Sequence, residues 1–166
     1  MGSAPDGIVI RRAVREDAPA LLELIQALAR YERLQPPDET ARERLVEHGW
    51  GDTPRFEAWL AEVNGRAVAY AIVFETYSTF LARPTLYLED IFVLPEARRQ
   101  GVGIRLFARI ARLALERGCG RMEWACLHWN EPGLRFYERV GAVSLDEWRL
   151  FRLLPEQIAV LEQPDQ

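Results

Sequence analysis

The sequence predicts an α+β domain, a mixed and mostly antiparallel sheet flanked by helices, with one βαβ unit in its second half. Three observations carry this. Asn64-Gly65 joins two β-rich runs, RFEAWLAEV and RAVAYAIVFETY, and this dipeptide is a strong hairpin signal because both residues tolerate positive φ. LYLEDIFVL (86–94) is an apolar run stopped by Pro95, then a glycine turn, a helix-period pattern over 102–117 and a further β-rich run, RMEWACL. Leucines recur at helical spacing near the N-terminus, in REDAPALLELIQALARYERL. The 166 residues, 49% of them apolar, suit one domain over residues 1–166, with a core spanning about 8–153.

The elements follow in order. IVIRRAV (8–14) reads as a first strand. The leucine-rich segment is a helix with Asp17 as N-cap and Pro19 in its first turn. PPDETARERLVEHG is a second, more polar helix ending at Gly49. After the hairpin, STFLARPT (78–85) is a turn-rich loop. The helix over 102–117 closes at Gly118, in a C-cap position. NEPGLRFYERVG is a short helix with proline in its first turn and Gly141 at its end, and EWRLFRL (147–153) is a last strand before a short tail helix.

Composition excludes several classes. A net charge of −4 argues against a nucleic-acid binder, which usually carries a basic face, and suits a small cationic substrate. Cys119 and Cys126 lack metal-type spacing and read as reduced, half-buried thiols of a cytoplasmic protein. No apolar stretch is long enough to span a bilayer, and MGSAPDG has no signal-peptide layout. The expectation is a protein without membrane, nucleic-acid or metal partners.

The segment PEARRQGVGIRLF (95–107) raises the functional question. A strand that feeds a glycine turn and then a helix aims unpaired N–H groups and a positive dipole end at one spot, where phosphate is the usual occupant. Gly101 and Gly103 keep side chains away from that backbone, and Arg98 and Arg99 add forked donors. The turn lacks the Lys-Ser/Thr of a Walker nucleotide loop and the third glycine of a dinucleotide fingerprint. Another diphosphate ligand is required, or else the helix merely begins with glycine.

Arg98-x-x-Gly101-x-Gly103 after LYLEDIFVLPEA resembles the coenzyme A pyrophosphate turn of the GNAT acyltransferases. WNEPGLRFYERVGA resembles their second signature, a short helix carrying an asparagine and a tyrosine. LARYE, YLEDIFV, WNEP, FYERVGA and EWRLFRL are similar to segments of the diamine (spermidine/spermine) and thialysine N-acetyltransferases. The resemblance implies the GNAT fold, acetyl-CoA as cosubstrate, a small primary amine as acceptor, direct transfer in a ternary complex and a homodimer whose aromatic-rich C-terminal strand pairs across subunits. It implies coenzyme contacts from the turn Arg98, Arg99, Gln100, Gly101, Val102, Gly103 and Ile104, from the backbone of Ile91, Phe92 and Val93, and from Asn130, Gly133 and Tyr137. An exposed N–H of the Ile91–Val93 backbone would also stabilise the developing oxyanion.

Amine acetylation needs a base, because an alkyl ammonium with a pKa near 10.4 is only about one part in a thousand neutral at pH 7. Glu89 and Asp90 interrupt an otherwise apolar strand, and buried carboxylates are costly unless paired or in use. Each also fits a turn to solvent or an ion pair with Arg149 or Arg152. By resemblance, Glu89 binds the amine and draws off its proton through water, with Asp90, Tyr31, Glu32 and Trp148 around the substrate. Spacing alone, seven residues after Asn130, favours a packed amphipathic tyrosine at Tyr137, whereas the resemblance implies the proton donor to the leaving thiolate. Asn130 is in the first instance a helix N-cap. Tyr31-Glu32 also fits a solvated helix end, Trp129 and Trp148 a core wall, and Arg105, Arg109 and Arg112 either a solvated stripe or a contact to the coenzyme's outer phosphate.

Polyamine acetylators carry an acid and a tryptophan in the loop before the catalytic strand. Here Ser78 and Phe80 stand near those places and Arg83 is added, which points to a shorter amine such as a lysine analogue or small diamine. A protein or xenobiotic amine, and a non-catalytic acyl-CoA sensor, remain alternatives at this level.

Overall fold

A computed structural model describes residues 7–161. The MGSAPD stretch, on which the absence of a leader was read, lies outside the described residues, as do residues 162–166. The chain divides into two compact units, the first ending at Ala125 and the second beginning at Cys126.

The first unit is built on a five-stranded sheet in the order β1-β2-β3-β4-β5. The strands are β1 (Ile8–Arg12), β2 (Glu57–Val63), β3 (Arg66–Ser78), β4 (Arg83–Val93) and β5 (Arg121–Glu123). The first four pair antiparallel, and β5 joins β4 parallel through the crossover helix α3 (Val102–Glu116). Asn64 and Gly65 both take positive φ, 52° and 77°, as a two-residue turn between right-twisted strands requires. Helices α1 (Ala18–Glu32) and α2 (Glu39–Trp50) lie between β1 and β2 in the chain.

Residues 58–61 of β2 and 68–73 of β3 are buried consecutively rather than alternately, so both faces of the sheet are covered. On one face Leu21 and Leu24 of α1 pack with Ala58, Leu60, Tyr70, Ile72 and Phe92. α3 buries Val102, Leu106, Phe107, Ile110, Leu113 and Ala114 and contacts every strand, and its Arg109 guanidinium sits 4.4 Å from the Trp59 ring.

The second unit contains α4 (Glu131–Arg139) and α5 (Pro155–Leu161). Asn130 caps α4, its side chain accepting from the Gly133 N–H at 3.2 Å. A Cβ on Gly133 would lie 2.6 Å from Asn130 Nδ2, so a larger residue there would displace the cap.

Several expectations need correction. Asp17 precedes α1 but does not cap it. Its carboxylate takes both amino groups of Arg11, at 2.6 and 2.7 Å, and the Val14 N–H at 2.8 Å, because a guanidinium is a stronger partner than a lone amide. α2 runs one residue past Gly49. The loop over 78–85 shrinks to Thr79–Ala82, since β3 and β4 extend further as a hairpin. RMEWACL forms a strand only over Arg121–Glu123. EWRLFRL is not a strand: its pattern is right, but it has no ladder partner among the described residues, and a strand exists only through its pairing. No helix among the described residues is long and apolar enough to cross a membrane.

Candidate functional site

The register of β3 against β4 creates the central feature of the first unit. Ile72 pairs with Asp90 and Val73 with Leu88, leaving Glu89 as one extra residue in β4. This is a β-bulge, and it reverses the side-chain alternation that period two would impose. Asp90 shares the α1 face of the sheet with its neighbour Ile72, and the bulged Glu89 reaches the same cleft.

That cleft is a cavity of about 440 Å³. Its walls are Ile25 of α1, Leu45 of α2, Phe56, and Ile72 and Phe74 of β3. Three charged residues complete the lining: Glu89, Asp90 and Arg55. Apolar walls with charges at fixed points suit a short methylene chain bearing ionic ends.

Glu89 is exposed and Asp90 half-buried. Asp90 Oδ2 accepts from the Tyr70 hydroxyl at 3.2 Å. Burial pushes the Asp90 carboxyl up to about 6, against the Tyr70 hydrogen bond that favours its charged form, with the charges of Glu89 and Glu32 adding to the rise. Burial also raises Glu32. Tyr70, fully buried, is pushed far above its ordinary value by burial and by the Asp90 charge, so it stays a proton donor to Asp90. Three carboxylates from the end of α1 and the middle of β4 therefore share one field, which favours a cation.

Tyr31 reaches the same strand from α1, its ring centroid 6.1 Å from that of Phe92. Arg98 ties the two together. Its Nε donates to the Val93 carbonyl at 2.9 Å, and its guanidinium stands 5.0 Å from the Tyr31 ring and 5.5 Å from the Phe92 ring. Of the turn residues, Arg98 is thus the one already engaged with protein groups through both its Nε and its guanidinium plane. Gln100 Nε2 holds the Glu96 carbonyl at 2.8 Å. Arg99 is exposed with φ 63°.

Gly101 is the N-cap of α3 with φ 82°, and no side chain caps the helix. The first intrahelical bond shown from this cap is Arg105 N–H to Gly101 carbonyl, at 3.2 Å, so the N–H groups of Val102, Gly103 and Ile104 precede the ladder. Glycine is required at 101 by its backbone angle. At 103 a Cβ would make ordinary contact with Val93 Cγ2 at 3.5 Å. β5 pairs with β4 only over Thr85–Tyr87. Beyond Tyr87 the outer edge of β4, including Ile91–Val93, has no ladder partner among the described residues. An uncapped helix start beside a bare strand edge fits a ligand with a diphosphate and an amide-bearing arm.

In the second unit the Tyr137 and Phe136 rings meet edge to face, 5.5 Å apart, and both are half-buried. Trp148 is 76% and Trp129 48% exposed, so neither is a core residue. In the first unit, Arg109 and Arg112 both pair with Glu116, at 3.3 and 3.0 Å; Arg112 is exposed, while Arg109 is half-buried over the Trp59 ring. Ser78 is buried at the end of β3, Phe80 is fully exposed at the hairpin tip, and Arg83 opens β4. Neither Cys119 nor Cys126 is in a disulfide, and both are of intermediate exposure.

Sequence reasoning missed Tyr70 and Arg55. Tyr70 sits in the run AVAYAIV, where its hydroxyl looks like a burial cost, and only the cross-strand register shows its partner. Arg55 follows a turn of polar residues and carries no local signal.

The chain matches the profile of the Acetyltransferase (GNAT) family over residues 19–142. It is 34% identical over 165 residues to the thialysine N-epsilon-acetyltransferase of Bos taurus, covering 93% of this chain and 96% of that one. It is 37% identical over 114 residues to an L-ornithine N5-acetyltransferase of Arabidopsis thaliana, covering 68% of this chain and 50% of that one. Among solved structures, AAC(6')-Iy in complex with a bisubstrate analogue of coenzyme A superposes with a TM-score of 0.73 at 21% identity, over 89% of this chain and 98% of that one. The site geometry, the family profile and the full-length relative agree, and the chain belongs to the GNAT acetyltransferase family.

Proposed function

We propose that this chain is an acetyl-CoA-dependent N-acetyltransferase acting on a primary amine of a small molecule, by direct transfer within a ternary complex. The observation that carries the reading is the cleft on the α1 face, where apolar walls end at the adjacent carboxylates of the β4 bulge. Acetyl-CoA supplies the activated acyl group as a thioester. The residues that would hold it are the N–H groups of Val102, Gly103 and Ile104 with Arg99, Gln100 and Gly101 beside them, the edge of β4 over Ile91–Val93, and Asn130 and Gly133 of the second unit. Arg98 braces that edge through Val93 and Phe92.

Asp90, with Glu32 and Tyr31, attracts and orients the ammonium. Glu89 accepts its proton through water. An exposed N–H of β4 faces the developing negative oxygen, Tyr137 protonates the departing sulfur, and Trp148 adds an aromatic wall. The relatives named for thialysine and L-ornithine support an acceptor with a short chain, as do the loss of acidic character around Ser78 and Phe80 and the gain of Arg83. The match over residues 19–142 crosses the division at Ala125, which supports one catalytic domain. Two cysteines outside any disulfide are in keeping with a cytoplasmic location.

We further read the protein as a homodimer. Trp148, Leu150 and Phe151 are 76–87% exposed in a segment whose pattern is that of a strand, and pairing across subunits would cover it. Equilibrium sedimentation at micromolar concentration is expected to give a dimer; a monomer refutes the pairing.

The primary test is a calorimetric titration with coenzyme A followed by thiol-release assays with thialysine, L-ornithine, putrescine and spermidine. Heat of binding and release with the shorter amines are expected. Absence of heat sinks the proposal, a clear preference for spermidine overturns the acceptor assignment, and binding without release for any amine indicates a sensor. Tyr137→Phe keeps the ring packed on Phe136 and is expected to lower kcat by roughly 10²-fold with coenzyme affinity unchanged; an unaltered rate removes Tyr137 as proton donor.

Asp90 also makes a pH prediction. Its folded-state pKa, about 6, lies above the ordinary carboxylate value near 3.9. The folded state therefore holds this proton more tightly, and stability falls as pH rises from about 4 through 6. Asp90→Asn does not titrate. It is expected to be more stable than wild type at pH 7 by on the order of 2 kcal/mol, with the difference vanishing below about pH 4. In activity, the wild-type kcat/KM should fall below about pH 6 as Asp90 protonates. Melting curves of both proteins at pH 4 and 7 check the sign, and a wild type more stable at pH 7 contradicts it.

A further inference from the structure

We propose that Arg55 reads a carboxylate at the far end of the acceptor, so that the cleft selects an amine carried by an amino acid over the same amine on a plain diamine. The inference rests on the N-acetyltransferase reading above and names the residue that sets acceptor specificity. Arg55 lines the cleft together with Glu89 and Asp90. Its position is built rather than incidental. The Arg55 N–H donates to the His48 carbonyl at 2.8 Å, across the end of α2. The neighbouring Phe56 ring packs so close to Gly49 that a Cβ there would stand 3.2 Å from it. At Gly51 a Cβ would stand 2.6 Å from the Glu47 carbonyl oxygen, so the connection from α2 to β2 is tight on both sides of the turn.

The charge on Arg55 has no carboxylate answering it among the described residues. Among the described residues, Arg11, Arg12, Arg66, Arg109, Arg117 and Arg121 each hold an acidic partner, whereas no ion pair is formed by Arg55. The adjacent Glu57 is committed to Arg12 and Arg117. A guanidinium of this kind, on a cavity wall opposite in sign to two carboxylates, offers a forked donor to a carboxylate and repels a second ammonium. The apolar surfaces of Leu45, Phe56, Ile72 and Phe74 suit the methylenes between the two ends. A zwitterion whose side chain ends in an amine satisfies every charge lining the cleft; a diamine leaves Arg55 facing a like charge or nothing.

The test compares L-ornithine with putrescine, its decarboxylated counterpart, in wild type, Arg55→Gln and Arg55→Lys, with kcat and KM read by thiol release. Wild type is expected to prefer L-ornithine. Arg55→Gln should lower the ratio of kcat/KM for L-ornithine over putrescine roughly tenfold, the scale of a charge-assisted contact made by an exposed side chain at the rim of the cleft. The loss should fall in the KM for L-ornithine, and Arg55→Lys should restore part of it by keeping the charge without the fork. A ratio unchanged in Arg55→Gln, a wild-type preference for putrescine, or an equal loss on both acceptors overturns this assignment alone. Wild type inactive on every amine overturns the parent reading and this one with it.

Discussion

One extra residue in β4 organises the first unit. A regular strand sends neighbouring side chains to opposite faces, so Glu89 and Asp90 would be split across the sheet. The bulge at Glu89 against Ile72 and Val73 brings both into the cleft and restores alternation beyond it. Leu86 and Leu88 are then buried, while Tyr87 meets Phe74 across the pair, 5.2 Å between ring centroids. Past the residues that pair with β5, the outer edge of β4 is left bare. The acceptor cleft and the strand edge suited to a coenzyme arm thus lie along a single stretch of chain.

The electrostatic cost of this arrangement is visible in the protein itself. Burial raises the Asp90 carboxyl, the charges of Glu89 and Glu32 add to that rise, and burial raises Glu32 as well. Tyr70 answers Asp90 with a hydrogen bond from a buried hydroxyl. A site that stores repulsion among carboxylates gains most from a cationic ligand. Arg98 acts on the opposite side of the balance. Its contacts with Val93, Phe92 and Tyr31 join the end of α1 to β4, so the acidic residue at the helix end and the two on the strand keep their spacing.

Much of this was legible in the residues. Asn64-Gly65 announced its hairpin through φ alone, Asn130 its cap through hydrogen-bonding reach, and the α3 stripe its burial through period. The acidic pair at 89 and 90 stood out because an apolar strand does not carry adjacent carboxylates without a reason. Other features were not legible. The capping role expected of Asp17 failed because Arg11 is a stronger partner. EWRLFRL has a strand's pattern but no neighbour to bond, and RMEWACL stops at Glu123 for want of ladder bonds beyond it.

By itself the sequence determined the class of fold, the turn that precedes α3 and the acidic residues that could serve an amine, because these depend on local dihedral preference, side-chain period and charge. Only the tertiary structure decided that Glu89 and Asp90 share one side of the sheet, that Tyr70 is the partner of Asp90 and that Arg55 stands on the wall of the same cleft. Those relations are set by cross-strand register and by the tight connection from α2 to β2, which bring together residues up to 35 positions apart, Arg55 and Asp90 among them. No local signal in a chain reports which distant residue it will meet.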